Sequence, residues 1–305
     1  MSDEHVTIDD ILPRVEQLAG DERTVSELPG GLTNTNYKVT SPAGRFVVRI
    51  SGKDTSLLAI DRENELHNTI AAAETGVGAP FVAALPEHDA LVLGYLDGEV
   101  MDAGKLRRGD RLAPIADSCR RLHAGRRFLH DFDMFEIQPR YLEIVHKRGF
   151  RLPARYEEFE PQIRELERAM RVGSEQTVPC NNDLLAENLI DVGGEMRLID
   201  YEYSGNNEPS FELGNVWSES NLSLTQLEEL IAAYYGRALR HKVARARLWG
   251  LMSKYGWTLW ASIQDAMADI DFDYWQWGME KYDRAVAEFT GPDFESLLAD
   301  VQRDD

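Results

Sequence analysis

The sequence predicts an α+β protein of two lobes, with a small β-rich amino-terminal lobe and a larger, mostly helical carboxyl-terminal lobe. Short apolar runs of strand-like composition lie in the first third of the 305 residues. A glycine-containing segment at residues 93–96 follows them, and long helical patterns dominate the rest of the chain. We therefore place the lobes at residues 1–94 and 95–305, with segment 93–96 as the hinge.

The elements of the amino-terminal lobe follow from local patterns. Its first helix rests on apolar residues at helical spacing, namely Ile8, Ile11, Leu12, Val15 and Leu18. Strands are expected at residues 35–40 and 45–50, because the Ser-Pro-Ala-Gly sequence between them is typical of a hairpin turn. A helix over residues 61–75 and a strand over residues 90–95 complete the lobe.

The carboxyl-terminal lobe is predicted to be mostly helical. Long helical patterns lie near residues 110–124, 155–171, 224–240, 244–269 and 275–289. Between the second and third of these, strand-like segments at residues 189–192 and 196–199 flank Gly193-Gly194. This arrangement indicates a β-hairpin inside the helical lobe.

The composition limits the classes of partner. The chain carries 33 Lys+Arg against 53 Asp+Glu, a formal charge of −20, which argues against nucleic acid or an anionic membrane surface. No apolar run approaches the roughly 20 residues that cross a bilayer, so no stable membrane insertion is expected. Cys119 and Cys180 are too few for a disulfide framework, and the acidic start is unlike a signal peptide. We therefore expect a cytoplasmic protein.

The segment at residues 179–203, PCNNDLLAENLIDVGGEMRLIDYEY, predicts the chemistry. Phosphoryl transfer from a nucleotide needs a carboxylate that orients the attacking hydroxyl and accepts its proton, and oxygen ligands for magnesium. Asp183 is the expected base, and Asn188 and Asp200 are the expected metal ligands. Each of these residues alone is more often a turn former. Their joint spacing between apolar strand residues favours the catalytic interpretation.

A glycine-containing polar loop before the first predicted strand is the candidate phosphate-binding loop. Its glycines allow the backbone to approach phosphates, and its amides and hydroxyls are hydrogen-bond donors. The residues assigned to nucleotide binding here are Gly30, Gly31, Thr33, Asn34 and Asn36. A Gly-Gly pair by itself is more typical of an ordinary turn, so the assignment depends on the rest of the chain.

Arg49 is unusual because it interrupts the apolar strand FVVRI, where a charge is costly unless it is partnered. We expect it to contact nucleotide phosphates and to pair with a carboxylate of the following helix, Glu65 first and Glu63 second. The alternative is a strand residue whose guanidinium reaches water. In the hinge, the backbone at Gly94 and Leu96 is expected to bond the adenine edge of the nucleotide.

Together these segments resemble the choline/ethanolamine kinases, which belong to the aminoglycoside-phosphotransferase-like kinases and share the protein-kinase-like fold. The resemblance rests on GGLTNTNYKV, FVVRI, IDRENE, CNNDLLAENL and LIDYEY, which occur in the family's order between residues 28 and 289. It implies a two-lobed protein-kinase-like fold and transfer of the γ-phosphate of ATP, with Mg²⁺, to the hydroxyl of a small amino alcohol. The roles that it implies for Asp183, Asn188, Asp200 and Arg49 agree with those assigned from the residues.

Two positions depart from the family's pattern. Asn181 replaces the histidine that usually stands two residues before the base. We expect the asparagine to hydrogen-bond without filling the same volume, which bears on the rate more than on the reaction type. In the segment FELGN, Glu212 stands where the family commonly has aspartate, at a site that is expected to be structural.

Aromatic residues of the carboxyl-terminal helices predict the substrate site. Trp257 and Trp260 are three residues apart and share a helical face, and Tyr274 follows after a turn. Aromatic faces suit a quaternary ammonium, which cannot donate ordinary hydrogen bonds, although aromatic residues on helices more often belong to the core. The resemblance assigns these three residues to the choline pocket, and we add Glu202 to the substrate-binding residues.

The predicted reaction is the phosphorylation of choline by ATP and Mg²⁺ to give phosphocholine and ADP. Carboxylates beside the aromatic residues either add long-range attraction for a cation or form a solvated helix face; they are Asp265, Asp269, Asp271 and Asp273. Ethanolamine or another amino alcohol is the alternative substrate. A nucleotide-binding protein that has lost efficient catalysis is the alternative of a different class, and a homodimer is left open.

Overall fold

The amino-terminal lobe is built on a five-stranded antiparallel sheet. The computed structural model of the chain describes residues 6–29, 31, 33–52, 55–268 and 270–303. The strands are β1 (Thr24–Leu28), β2 (Asn34–Ser41), β3 (Gly44–Ser51), β4 (Phe81–Leu85) and β5 (Ala90–Gly94), in the order β1-β2-β3-β5-β4. The prediction misses the edge strands β1 and β4, because β1 is mostly exposed and β4 is half-buried throughout. The sheet ends at Gly94, while the division of the chain at that residue stays a prediction.

The predicted first helix is wrong in its length. Helix α1 spans only Ile8–Ile11, and Leu12–Arg14 and Glu16–Leu18 form separate 3₁₀ turns. Pro13 explains the break, because proline has no N–H and its ring clashes with the carbonyl one turn back. The apolar side chains still pack against the sheet, so their spacing marks a buried face and not a continuous helix.

Helix α2 (Arg62–Glu74) connects β3 to β4 and agrees with its prediction. It begins after Asp61, whose carboxylate accepts hydrogen bonds from two backbone N–H groups of the first turn at 3.0 and 3.1 Å. This cap fixes the start of the helix, and Glu65 in the first turn lies against Arg49 of β3.

The carboxyl-terminal lobe packs around one long helix. Its helices are α3 (Ala103–Leu106), α4 (Leu112–His123), α5 (Met134–Arg148), α6 (Glu160–Met170), α7 (Pro209–Glu219), α8 (Leu224–Tyr235), α9 (Arg240–Met267), α10 (Tyr274–Phe289) and α11 (Phe294–Asp300). Helix α9 spans 28 residues and packs against α5, α7 and α10. Among the helices of the described ranges, none is long and apolar enough to cross a membrane.

The helical predictions differ from the structure in several places, and the short helices α3 and α11 are absent from them. Helices α5 and α7 are not predicted, because Pro139 interrupts the pattern of α5, and α7 is buried nearly all round and has no polar face. The helix predicted over residues 224–240 ends at Tyr235, because Gly236 takes a left-handed conformation with a φ of 83°. The helix predicted over residues 155–171 starts with a 3₁₀ turn before α6.

Two small sheets hold the polar loops that precede α7. Their strands are β6 (Glu99–Val100), β7 (Val178–Cys180), β8 (Leu189–Val192), β9 (Glu195–Leu198) and β10 (Gly205–Asn207). Strand β7 pairs with β10, and β8 pairs with both β6 and β9. The loop from β7 to β8 carries Asp183 and Asn188, and the loop from β9 to β10 carries Asp200. The hairpin of β8 and β9 agrees with its prediction.

Lys254 lies on α9 with only 2% of its surface exposed. Burial lowers the pKa of its amine to about 8, and Glu288, whose carboxylate oxygen is 3.6 Å away, opposes that effect only in part. An unfolded chain returns the amine to water and to its ordinary, higher pKa. Between the two pKa values the unfolded state therefore holds more protons, and raising the pH favours the folded state.

We expect the Lys254→Met variant to lose this pH dependence. From about pH 7.5 to about pH 9.5, the free energy of unfolding of the unmodified protein should rise by roughly 2 kcal/mol relative to the variant. Urea unfolding followed by circular dichroism in chloride buffers measures the difference. If the free energy of unfolding changes with pH in the same way for both proteins, the pKa of Lys254 is not lowered in the folded state.

Candidate active site

The loop after β7 is fixed by a buried carboxylate of α7. Glu212 has no exposed surface and accepts hydrogen bonds from the backbone N–H groups of Asn181 and Asn182 at 2.9 and 2.8 Å. Asn182 has a φ of 66°, a left-handed conformation that turns the chain just before Asp183. Glu212 therefore holds the backbone that positions Asp183, and the longer carboxylate reaches both N–H groups.

Asn181 connects the two polar loops. Its Nδ2 donates to the backbone oxygens of Ile199 and Asp200 at 3.2 and 2.8 Å. Its Oδ1 accepts a hydrogen bond from the backbone N–H of Asp183 at 3.1 Å. The asparagine therefore makes the hydrogen bonds expected of it and ties the Asp183 loop to the Asp200 loop without a histidine.

Asp183, Asn188 and Asp200 line one cavity of about 470 Å³ between the lobes. The Nδ2 of Asn188 donates to the backbone oxygen of Asp183 at 2.8 Å, which leaves Oδ1 as the amide atom available to a cation. Asp200 takes a left-handed conformation with a φ of 63°, directly after the hairpin. The three residues predicted from one sequence segment therefore share one site.

A chain of ion pairs, the interlobe ion-pair chain, runs from the amino-terminal lobe into the cavity. Arg49 pairs with Glu65 and also contacts Asp200 at 3.2 Å. Arg62 lies 2.7 Å from Glu65 and 2.6 Å from Glu202. The pair of Arg49 with Glu65 is the first of the two expected pairs. Sequence reasoning misses Arg62, whose only signal is its place in the IDRENE segment.

Glu202 is engaged by the amino-terminal lobe on both carboxylate oxygens. Its Oε2 accepts a hydrogen bond from Thr33 Oγ1 at 2.8 Å, and its Oε1 accepts from Asn34 Nδ2 at 2.9 Å and from Arg62. Glu202 also lines the cavity, as does Thr33. These hydrogen bonds fix Thr33, in the loop before β2, and Asn34, the first residue of β2, beside the cavity.

Three carboxylates, which together with Asn188 we call the cavity floor, line the cavity: those of Asp183, Asp200 and Glu202. Their burial and their mutual repulsion shift their pKa values. Burial raises the pKa of Asp183 well above its ordinary value, and the charges of Glu219 and Asp200 raise it further. Burial, and then the charge of Glu202, raises the pKa of Asp200 to about 6. The pKa of Glu202 is lowered, because Arg49 and Arg62 outweigh the effect of its burial. A cation bound among these groups would relieve the repulsion, so the floor is suited to one.

An aromatic wall lines the same cavity as Asp183, Asp200 and Glu202. We define the aromatic wall as Tyr203, Trp257, Trp260, Phe272 and Trp277. The rings of Tyr203 and Trp257 are 4.9 Å apart, and Trp260 Nε1 donates to the hydroxyl of Tyr203 at 2.6 Å. The sequence prediction omits Tyr203, although its place directly after Glu202 in LIDYEY was a usable signal.

Tyr274 does not line the cavity. It is buried, and its ring packs 5.9 Å from that of Trp260, while Trp277, three residues later on α10, reaches the cavity instead. The helical spacing puts both residues on one side of α10, but the rotation of the helix decides which of them reaches the opening. Trp275 points elsewhere, with the Arg151 guanidinium 3.9 Å from its ring centroid.

A buried ion pair lies next to the aromatic wall. The Nζ of Lys281 is 4.0 Å from the ring centroid of Trp277 and pairs with Glu219, whose side chain is 1% exposed. One face of Trp277 therefore already contacts an ammonium of the protein itself. Neither residue of this pair is predicted, because the pair joins two helices that are far apart in the sequence.

Two of the four acidic residues beside the aromatic wall have structural partners. Asp265 pairs with Arg151 at 3.3 Å, and Asp273 caps α10 by accepting from the backbone N–H of Gln276 at 2.8 Å. Asp271 is exposed, and Asp269 lies outside the described residues. The expectation that these carboxylates add long-range attraction for a cation stays a prediction, and the carboxylates of Asp183, Asp200 and Glu202 line the cavity itself.

The candidate phosphate-binding loop is described in part. Gly30 lies outside the described residues. Gly31 lines the cavity with a φ of 98°, and a Cβ there would lie 2.8 Å from the backbone oxygen of Asn34. Only glycine fits this approach without strain. Asn36 stands opposite Arg49 in the pairing of β2 with β3.

The two hinge residues, Gly94 and Leu96, are not among the residues that line the cavity. Gly94 ends β5, and its backbone N–H donates to the backbone oxygen of Pro80 at 2.7 Å. The backbone oxygen of Leu96 accepts a hydrogen bond from Gly98 at 3.1 Å. Both residues are half-buried where the chain leaves the sheet for the carboxyl-terminal lobe.

The chain is similar to proteins of one family. The family model described as choline/ethanolamine kinase matches residues 25–233. Ethanolamine kinase 2 of Rattus norvegicus is 24% identical, over 90% of this chain and 81% of its own. A crystal structure of a choline/ethanolamine kinase family protein from Mesorhizobium loti is 30% identical, with a TM-score of 0.84 over 96% of this chain and 97% of that one.

The choline kinase LicA from Streptococcus pneumoniae has the same fold, with a TM-score of 0.75 over 95% of this chain and 98% of that one, at 24% identity. These similarities confirm the two-lobed protein-kinase-like fold that the sequence predicts.

We expect Glu212→Gln to destabilise the protein, because an amide presents one acceptor oxygen to two buried N–H donors. An unsatisfied buried donor costs about 1–3 kcal/mol, which urea unfolding measures. The matched control is Glu229→Gln on α8, where the side chain is exposed and the change should stay within about 0.5 kcal/mol. Equal effects of the two substitutions would show that Glu212 does not anchor the loop.

Proposed function

Since the chain belongs to the choline/ethanolamine kinase family and is a phosphotransferase that acts on an alcohol group, we propose that it transfers the γ-phosphoryl group of ATP to the hydroxyl of choline. The observation that carries the choice of substrate is the aromatic wall, which lines the same cavity as Asp183. A quaternary ammonium has no N–H to donate, so aromatic faces are its best partners, at about 2 kcal/mol or more for a desolvated contact. A primary ammonium would need hydrogen-bond acceptors; both oxygens of Glu202, the carboxylate assigned to substrate binding, are already engaged, and in this proposal Asp183 and Asp200 serve the hydroxyl and the metal ion.

In this proposal Asp183 orients the substrate hydroxyl and accepts its proton. It lines the same cavity as the aromatic wall, so an alcohol whose ammonium lies against the rings would have its hydroxyl within the cavity that holds the carboxylate. Asn181 and Glu212 hold the backbone on both sides of Asp183. Such positioning supplies much of the catalysis of phosphoryl transfer.

The donor set of the cavity floor fits Mg²⁺. Asn188 Oδ1 and the carboxylate of Asp200 are oxygen ligands, which this ion prefers. Burial and then the charge of Glu202 raise the pKa of Asp200 to about 6, and a cation bound beside the carboxylate would oppose both effects. What Mg²⁺ supplies when bound is neutralisation of the phosphate charge during transfer. Asn188 and Asp200 are the residues that would hold it.

The amino-terminal lobe is the proposed nucleotide site. Arg49 is buried, and its Nε has no hydrogen-bond acceptor among the described residues, which suits a phosphate oxygen. Gly31 lines the cavity without a side chain, which would let a phosphate approach its backbone. Thr33, Asn34 and Asn36 would add side-chain contacts to phosphates, Glu65 would orient Arg49, and Gly94 and Leu96 would meet adenine.

We expect Asp183→Asn to abolish most of the turnover, because the amide cannot accept the proton of the hydroxyl. General-base catalysis is worth about 10²–10⁴-fold in rate, and nucleotide binding should be retained. Coupled measurement of ADP release with choline, and titration with a fluorescent ATP analogue, report the two quantities. Asp265→Asn is the matched control at the surface. Full turnover in the Asp183 variant would refute its role as the base.

We expect Trp257→Leu to lower kcat/KM for choline by roughly tenfold or more, and less for ethanolamine, because a lost cation–aromatic contact matters most to an ammonium without N–H groups. Trp275→Leu, which removes an indole that contacts Arg151, is the matched control.

Equal losses for both alcohols, or an equal loss in the control, would contradict the proposed recognition of choline. If the unmodified protein has a higher kcat/KM for ethanolamine, the substrate is ethanolamine, for which the similarity to ethanolamine kinase 2 is the supporting observation.

A further inference from the structure

A second cavity, of about 340 Å³, lies further along the helices that carry the aromatic wall. Lys254 on α9 is three residues before Trp257, and Arg284 on α10 is seven residues after Trp277. Trp217 near the end of α7 forms a third side. The two cavities therefore share their helices, but no lining residue is common to both.

Positive charge is in excess at this cavity. Three cationic side chains line it, those of Arg247, Lys254 and Arg284, against two carboxylates, those of Glu288 and Asp293. Arg247 binds both carboxylates at 3.0 Å. Arg247 therefore neutralises most of the negative charge at this cavity. A local excess of positive charge is unusual in a protein whose net charge is −20.

Two buried donors of the cavity lack a good acceptor. Lys254 is 2% exposed; its Nζ lies 4.8 Å from the ring centroid of Trp217 and 3.6 Å from a carboxylate oxygen of Glu288, which is beyond an ordinary hydrogen bond. Trp217 is 6% exposed, and its Nε1 has no hydrogen-bond partner within the described part of the chain. Buried donors without acceptors are rare in folded proteins and need an explanation.

We propose that this cavity binds a small oxyanion, a phosphate monoester or a carboxylate, through the ammonium of Lys254, the indole N–H of Trp217 and the guanidinium of Arg284. The indole N–H and the ammonium are donors only, and so is a guanidinium, so the groups match an acceptor with several lone pairs and a negative charge. The cavity volume is sufficient for a molecule larger than inorganic phosphate. This inference does not depend on the proposed substrate.

Isothermal titration calorimetry tests the proposal on the full chain at constant ionic strength in chloride. The probes are sodium phosphate, phosphocholine and sodium acetate, which separate a phosphate from a carboxylate as the source of the anion. At least one probe is expected to bind, and Lys254→Met and Trp217→Phe should each weaken it by about tenfold or more, the value of a hydrogen bond to a charged group. Lys147→Met, the same substitution at an exposed lysine of α5, should bind as the unmodified protein does.

Binding that neither variant weakens, or that only one folded variant weakens, overturns the proposal, as does the absence of binding by every probe at millimolar concentration. Circular dichroism establishes that the variants are folded. If Lys254→Met does not fold, Trp217→Phe decides alone, because it removes one N–H and keeps an aromatic ring. Phosphate bound in the cleft between the lobes would remain unchanged in both variants and is thereby distinguished.

Discussion

The arrangement of the site depends on charge neutralisation across the cleft between the lobes. Glu202 is buried in the carboxyl-terminal lobe, yet Arg62, Thr33 and Asn34, which bond to its oxygens, all belong to the amino-terminal lobe. A buried carboxylate without partners is costly, and breaking such a pair costs several kcal/mol. Docking of the lobes satisfies this carboxylate, and the same contacts bring the polar loop before β2 to the cavity.

The sequence predicts best the residues whose role is visible in a short segment. Asp183, Asn188 and Asp200 stand in loops beside apolar strands, and the structure brings them to one cavity. Arg49 and Glu65 are also found, because a charge inside an apolar strand needs a partner. The bond of Arg62 to Glu202 joins residues 140 positions apart, and no local pattern reports such a contact.

Prediction fails where the rotation or continuity of an element decides the outcome. Tyr274 and Trp277 lie three residues apart on α10, and only packing against α9 determines that the indole reaches the cavity. Pro13 divides a correctly identified apolar face into short turns. Helix α7 is buried nearly all round, so the periodicity that identifies a surface helix is absent from it.

The contact between Arg49 and Asp200 makes two kinds of ligand depend on each other. The guanidinium and the carboxylate lie 3.2 Å apart, and each occupies a group that an incoming ion of opposite sign would use. A phosphate that withdraws Arg49 frees Asp200 for a cation, and a cation at Asp200 frees Arg49 for a phosphate. Under the proposed function, the loss of this one ion pair would serve both binding events, so each ligand would strengthen the other's affinity by the same factor, as thermodynamic linkage requires.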